Sequence, residues 1–497
     1  MEPTNDESKS DIKEVPDSLE DITPQWCQEA LRKGGVISSS IKVSSVDVKR
    51  LVNEETGAVD GGGMTAAQMV RITLTYEEGH TDDANIPKSM IAKCVLSGKR
   101  MMKVPWHFRL LLFAIHGKNY EERLWRSDIR FYREAIPHVK DIYRHPKVYY
   151  TGLIDGGNQG FFTDTILQGP HKIRTITLMQ DMQGWKSQMI GIHHLNFDQA
   201  VAILENVAVL HGNFWGDKNK NVWENFFPSN SELELRRASH SKFASMKRNK
   251  IVSSQTNLQK TIKKMLKNWD SNQWFGIPKE DLLPSWVTSK PADDSDADRI
   301  LILKDPNVFE MLEVLAERFP DFNTEFSKPF LKVPCNTLLH GDFHNGNHMY
   351  LEEEDMVKVV AFDFQCVGRG VAISDVLKLM LHSKRHTSLN DDLNLLKRYH
   401  DALVLSGVQG YTYEDIKKDF LVGYVELMLA KIMDHADYTY EKYTKLIQGI
   451  FGEEKFADIK RIMEGGVYCN AFTALTSMYL HNKDNFLKGT AFIDGIS

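Results

Sequence analysis

The strongest constraint on this chain is a change of hydrophobic period along it. Residues 67–76, AQMVRITLTY, alternate: Val70, Ile72, Leu74 and Tyr76 share one face, and Arg71, Thr73 and Thr75 share the other. A period of two belongs to a strand. Residues 197–215, FDQAVAILENVAVLHGNFW, instead place Ala200, Ile203, Leu204, Val207, Leu210, His211 and Phe214 at steps of three and four. That stripe belongs to an amphipathic helix. Strand patterns gather toward the N-terminus (AQMVRITLTY, IPKSMIAKCVL, IRTITLMQDM), and helical patterns fill most of the C-terminal half. At 497 residues the chain also exceeds one compact core. The order predicts an α+β chain in two lobes: a small β-rich N-lobe over 21–182, with the lobe linker at its end, and a large, mostly helical C-lobe over 183–490. A cleft between lobes is where a small molecule would bind.

Local signals sharpen the frame. Residues 1–20 are polar and acidic and read as a disordered tail. In DITPQWCQEALRKGG, Thr23 can cap a helix, Pro24 suits its first turn and Gly34 can end it. YEERLWRSDIRFYREAI reads as a helix stopped by Pro137. The stretch over residues 100–125 is a long amphipathic insertion that we expect to pack on the small lobe.

Charge and composition exclude several functions. A net charge of −6 argues against a nucleic-acid partner, which requires a basic footprint. No apolar run reaches the length of a membrane span. The acidic N-terminus lacks the apolar core of a signal peptide. The five cysteines, Cys27, Cys94, Cys335, Cys366 and Cys469, are scattered and read as reduced thiols, so the expected location is cytoplasmic.

The chemistry sits in LLHGDFHNGN, residues 338–347, and VVAFDFQ, residues 359–365. The first carries H-G-D-x-x-x-x-N: His340, Gly341, Asp342 and Asn347. Asp363 follows sixteen residues later. Phosphoryl transfer from ATP calls for one Asp to accept or orient the proton of the attacking hydroxyl. It calls for an Asn and a second Asp to hold Mg²⁺, and for a strand Lys and a Gly-rich turn at the phosphates. Candidates stand in the order a kinase fold needs: Gly61, Gly62 and Gly63, then Lys93, Asp342, Asn347 and Asp363. Lys93 shares a strand face with Ile91 and Val95, where its charge needs a partner unless it snorkels from an edge strand. Taken singly, the glycines read equally well as a hairpin turn and H-G-D as an Asx-rich turn. His211 and His340 read as structural, and His344 as either solvent-facing or substrate-facing.

These motifs, with VAISDVLKLML, resemble the aminoglycoside-phosphotransferase and choline-kinase superfamily. IPKSMIAKCV, DIRFYREAIPHV, VLHGNFW and LLKRYHDALVLSGVQGYTYEDIKKDFLVGY are similar to its ecdysteroid-kinase-like, or CHK-kinase-like, branch. The resemblance spans about residues 20–480. It implies a bilobal protein-kinase-like fold and an ATP- and Mg²⁺-dependent phosphotransferase acting on the hydroxyl of a small molecule. By it, Asp342 matches the catalytic base, Asn347 and Asp363 the metal ligands, and Lys93 the phosphate anchor. The backbone at Gln180, Asp181 and Met182 matches the adenine-binding linker, and Asp375 a residue that braces the active-site loops. Relatives commonly carry a Glu where this chain has Asp128, so the partner of Lys93 stays open among Asp128, Glu122 and Glu134. The acceptor stays open among a steroid-like alcohol, a choline-like amine and another metabolite, with Trp215, Tyr440 and Tyr443 as candidate contacts. Missing A-P-E and H-R-D segments argue against protein phosphorylation. A nucleotide-binding pseudokinase without turnover is the alternative from another class.

Overall fold

The computed structural model describes residues 13–51, 68–77, 86–96, 120–154, 173–188, 194–226, 242–270, 305–354, 356–383, 388–437 and 471–496. Gly61 to Gly63, the side chain of Glu122, Tyr440, Tyr443, Cys469 and most of the 100–125 insertion lie outside them. Two compact units result, one ending at Met182 and the other holding 134–145 and the chain from Gln183 on. The fold is α+β: an antiparallel sheet in the N-terminal unit and helices through most of the C-terminal one.

In the first unit, helix α1 (Pro24–Lys33) starts where Thr23 Oγ1 accepts the Trp26 amide at 3.2 Å and ends at Gly34. A side chain at Gly34 would collide with the Tyr149 carbonyl, its Cβ falling 1.7 Å from that oxygen, so only glycine fits there. Strands β1 (Val43–Arg50), β2 (Gln68–Tyr76), β3 (Ser89–Val95), β4 (Val148–Ile154) and β5 (Arg174–Gln180) form one sheet in the order β1-β2-β3-β5-β4. As the alternation predicts, Val70, Ile72, Leu74 and Tyr76 are buried. They pack with Met90, Ala92, Cys94, Ile176 and Leu178 and with Trp26 and Leu31 of α1. The other face of β3 meets helix α2 (Tyr120–Arg130), where Val95, Trp125 and Ile173 form a small apolar cluster. Past α2 the chain makes one π turn (Phe131–Ala135) and a 3₁₀ turn (Ile136–His138) that contains Pro137, so regular helix stops earlier than the sequence suggests.

In the second unit, α3 (Phe197–Asn213) carries a reciprocal capping box. Asn196 Oδ1 accepts the Gln199 amide at 2.8 Å, and Gln199 Oε1 accepts the Asn196 amide at 3.1 Å. Helices α4 (Lys242–Val252), α5 (Gln255–Asp270), α6 (Pro306–Phe322), α7 (Ile373–His382), α8 (Leu389–Leu405) and α9 (Tyr413–Asp437) follow. Leu204, Val207, Leu312, Phe319, Leu377, Leu396, Phe420 and Val425 belong to their common core. A buried Arg248–Glu426 ion pair, with Arg248 also bonded to Asn323, joins α4 to α9 inside it. A two-residue strand β6 (Lys186–Ser187), β8 (His348–Glu353) and β9 (Met356–Ala361) make a second sheet, and β7 (Thr337–Leu339) pairs with β10 (Gly368–Gly370). Both small sheets flank the H-G-D loop.

Candidate functional site

In the first unit the candidate residues centre on Lys93. β3 is flanked by β2 and β5, with Met69 and Thr177 opposite Lys93, so the lysine stands on a central strand rather than an edge. Its side chain is 12% exposed and ends 3.3 Å from Asp128 Oδ2 on α2. Burial in a central strand makes an ammonium expensive unless it is paired, and α2 supplies the carboxylate. Of the three candidate partners, Asp128 is in contact with Lys93.

At the end of β5, Asp181 turns its carboxylate back onto the sheet. Arg71 Nε and Nη2 donate to it at 2.8 and 3.3 Å and Ser89 Oγ at 2.9 Å. Gln180 is tied to Lys147 on both sides: its amide donates to the Lys147 carbonyl at 2.8 Å, and its Oε1 accepts the Lys147 amide at 3.3 Å. With these two side chains engaged, a ligand at 180–182 would meet backbone, and Met182 is half-buried.

In the second unit the candidate residues are built on the loop after β7. Gly341 takes φ +84°, a left-handed value that glycine adopts without strain. The loop is fastened by the fully buried Asp375 of α7, whose oxygens accept the His340 amide at 2.8 Å and the Gly341 amide at 3.0 Å. His211 of α3 contacts the same carboxylate at 3.2 Å and the Tyr399 hydroxyl of α8 at 2.7 Å, while its own carbonyl accepts from Thr337 Oγ1 at 2.8 Å. His211 thus has the structural role read from the sequence, as one link in a buried brace. His340 does too: its Nε2 donates to the Phe362 carbonyl at 3.0 Å, and its ring lies 4.9 Å from that of Phe364.

Asp342 is placed by this brace and surrounded by donors. Lys378 Nζ lies 2.8 Å from Oδ1; Asn347 Nδ2 at 3.3 Å and His344 Nε2 at 3.4 Å approach Oδ2. Burial pushes the Asp342 carboxyl up, but Lys378 and then His344 outweigh it and hold the group well below the usual carboxylate range. His344 is therefore not a solvent-facing residue. Its Nδ1 accepts the Gly346 amide at 3.1 Å, and its side chain is 14% exposed.

Asn347 and Asp363, sixteen residues apart in sequence, are delivered to the same place by the β8–β9 hairpin. His348 pairs with Ala361, and one step beyond, the Phe362 amide donates to the Asn347 carbonyl at 3.0 Å. Asp363 adopts φ +63°, a conformation that a non-glycine residue holds only when its surroundings enforce it and that gathers at functional sites. Asn347 Nδ2 donates to the Asp342 carbonyl at 2.8 Å, which turns the amide oxygen the other way. A hard divalent cation prefers oxygen, and the Asn347 amide and the Asp363 carboxylate both offer oxygen donors. Trp215 packs at a tilt against Tyr411, with ring centroids 5.2 Å apart.

Two features escaped the sequence reading. Lys378 was not singled out, although α7 is buried along its whole length and carries Asp375, Lys378 and His382 in ISDVLKLMLH. Steps of three and four put those three polar groups on one face of an otherwise apolar helix, which was the available signal. The β8 strand was missed because HMYLEEED ends in consecutive acids that read as solvated chain.

Residues 286–407 match the profile of the ecdysteroid kinase-like family, so the resemblance read from the sequence holds, and the matched segment includes Asp342, Asn347, Asp363, Asp375 and Lys378. Among solved structures the chain is similar to amicoumacin kinase hAmiN in complex with AMP-PNP, Ca²⁺ and Ami, at 10% identity over 87% of this chain and 93% of that one, TM-score 0.32. It is similar to a microcompartment-associated aminopropanol kinase at 10% identity over 91% and 97%, TM-score 0.34. It is similar to spectinomycin phosphotransferase APH(9)-Ia in complex with ADP and spectinomycin at 10% identity over 87% and 98%, TM-score 0.31. Comparison with curated proteins gives no match.

Proposed function

From the ecdysteroid kinase-like character of residues 286–407, we propose that this protein is a phosphotransferase that moves the γ-phosphoryl group of ATP to a hydroxyl of a small molecule, with Mg²⁺ as cofactor. The observation that carries the reading is the meeting of three groups around one hairpin and loop: Asp342 among donors, Asn347 bonded through its amide nitrogen to Asp342, and Asp363 just past β9. In this reading Asn347 and Asp363 hold the metal, which would neutralise charge on the triphosphate. Lys93, set by Asp128, reaches the phosphates, and the backbone of 180–182 receives the adenine. Gly61 to Gly63 would cover the phosphates.

Asp342 orients the acceptor hydroxyl. The hydroxyl oxygen forms the new P–O bond as the bond from phosphorus to the ADP oxygen breaks. A carboxylate held below its ordinary pKa by a paired cation is a weaker base, so we assign it alignment, and the hydroxyl proton leaves late, to a phosphoryl oxygen or solvent. A pseudokinase would have no use for an aspartate kept ionised at that position, and the pairing with Lys378 favours the enzyme.

Calorimetry with ATP tests the nucleotide half of the reading. Binding should require Mg²⁺ and weaken by about tenfold or more in Asp363→Asn, where the ligand loses its charge. Absence of ATP binding by folded protein would overturn the proposal.

A further inference from the structure

Asp375 of the polar face of α7 braces the loop, but the scheme above gives Lys378 no role beyond pairing with Asp342. A lysine in the middle of a buried helix is a costly choice, because its ammonium leaves water and the helix gains nothing from the charge. Its Nζ approaches the Asp342 carboxylate, at Oδ1, and more loosely the Gly341 carbonyl at 3.4 Å. The chain thus spends a buried cation on the residue that would align the acceptor.

We propose that Lys378 is a positioning residue for phosphoryl transfer: it holds Asp342 by Oδ1 and thereby presents Oδ2 to the attacking hydroxyl. This inference rests on the phosphotransferase reading of the same site. The distances separate the two oxygens. Oδ1 has the 2.8 Å contact to a cation, whereas the contacts at Oδ2, 3.3 Å from Asn347 and 3.4 Å from His344, are long for hydrogen bonds. An incoming hydroxyl can replace these weak contacts without disturbing the strong one. His344 is set to assist, since its Nδ1 accepts the Gly346 amide and its Nε2 faces Asp342 Oδ2. Lys378 itself is fixed through its helix, because Asp375, one turn earlier, is bonded to the two loop amides just before Asp342. Loop and clamp are therefore held by one rigid element, which is the arrangement alignment requires.

A lysine present only for stability would, when lost, lower the melting temperature and leave the catalytic rate of the folded fraction unchanged. The test therefore uses full-length protein as native chain, Lys378→Arg, Lys378→Met, Asp342→Asn and the Lys378→Met/Asp342→Asn double variant. Steady-state hydrolysis of Mg-ATP, with water as acceptor, gives kcat and KM, calorimetry gives Mg-ATP binding, and thermal unfolding gives Tm. Lys378→Met should lower kcat by about thirtyfold or more with KM and Kd for Mg-ATP within about threefold, and Lys378→Arg should recover kcat to within about fivefold of native. In the unfolding series, Lys378→Met should lower Tm because it strands a carboxylate, and adding Asp342→Asn should restore most of the loss. Native-like kcat in Lys378→Met, a loss falling wholly on KM, or additive changes in Tm would overturn the positioning role while leaving the phosphotransferase reading in place. Failure of native protein to bind Mg-ATP, with the Tm coupling intact, would overturn that reading and the catalytic part of this inference with it.

Discussion

Asp342, Asp363 and Lys93 do different things in this account, and single substitutions should separate them. Asp342→Asn keeps the size of the side chain and removes its charge, so Mg-ATP affinity should stay within a few-fold while turnover falls by about a hundredfold or more. Asp363→Asn should show the opposite emphasis, in Kd for Mg-ATP. Lys93→Met should raise KM for ATP, and it should also leave Asp128, 7% exposed, without its cation. Part of its effect will therefore appear as lost stability, of about 3–5 kcal/mol for a fully buried pair broken on one side. Measuring kcat, KM and Tm on the same preparations distinguishes these outcomes. At this scale the sequence shows which residue types stand where, but not which of them touch. The partner of Lys93 depended on how α2 lies on the sheet, and the cation on Asp342 came from a helix more than thirty residues downstream.

At the scale of elements, the H-G-D loop depends on two supports, a glycine with a left-handed backbone and a helix buried on every side. Gly341→Ala should cost about 1–2 kcal/mol, because a Cβ disfavours φ +84° and the amide is already committed to Asp375. Equilibrium unfolding in urea would read that loss. α7 also ends in His382, whose pKa is held well below 6.5 first by burial and then by the nearby Lys431 and Lys378. The folded state resists protonating this ring while the unfolded chain accepts a proton near its ordinary value. Stability is therefore fully present above about pH 6.5 and is lost as pH falls toward the depressed folded value, by about 1.4 kcal/mol per pH unit for one such ring. His382→Gln should remove about that much of the slope between pH 6.5 and 5.5. Elements were the most legible level of the sequence. The period-two faces of β2 and β3, the capped start of α1, the amphipathic stripe of α3 and the two strands before the aspartates follow directly from residue pattern. β8 did not, since its outer end is acidic and its place is set by pairing with β9 rather than by its own periodicity.

At the scale of the whole molecule, the order of patterns along the chain was enough to anticipate an α+β fold with its sheet first and its helices after, because burial imposes a different period on each. Return of the chain from one compact unit to the other over residues 134–145 was not legible, since no turn signal distinguishes segments that pack on different partners. No helix among the described residues is long and apolar enough to cross a membrane. The central claim concerns the complete chain, and the test that reaches it most directly is transfer itself. Native protein and Asp342→Asn would be incubated with Mg²⁺, γ-labelled ATP and a pooled small-molecule extract, and the products separated. The account predicts label in a small molecule with native protein and a loss of about a hundredfold or more in the variant. Equal transfer by both proteins, or Mg-ATP binding by the native protein without transfer to any molecule in an extract that supplies hydroxyl acceptors, would contradict it.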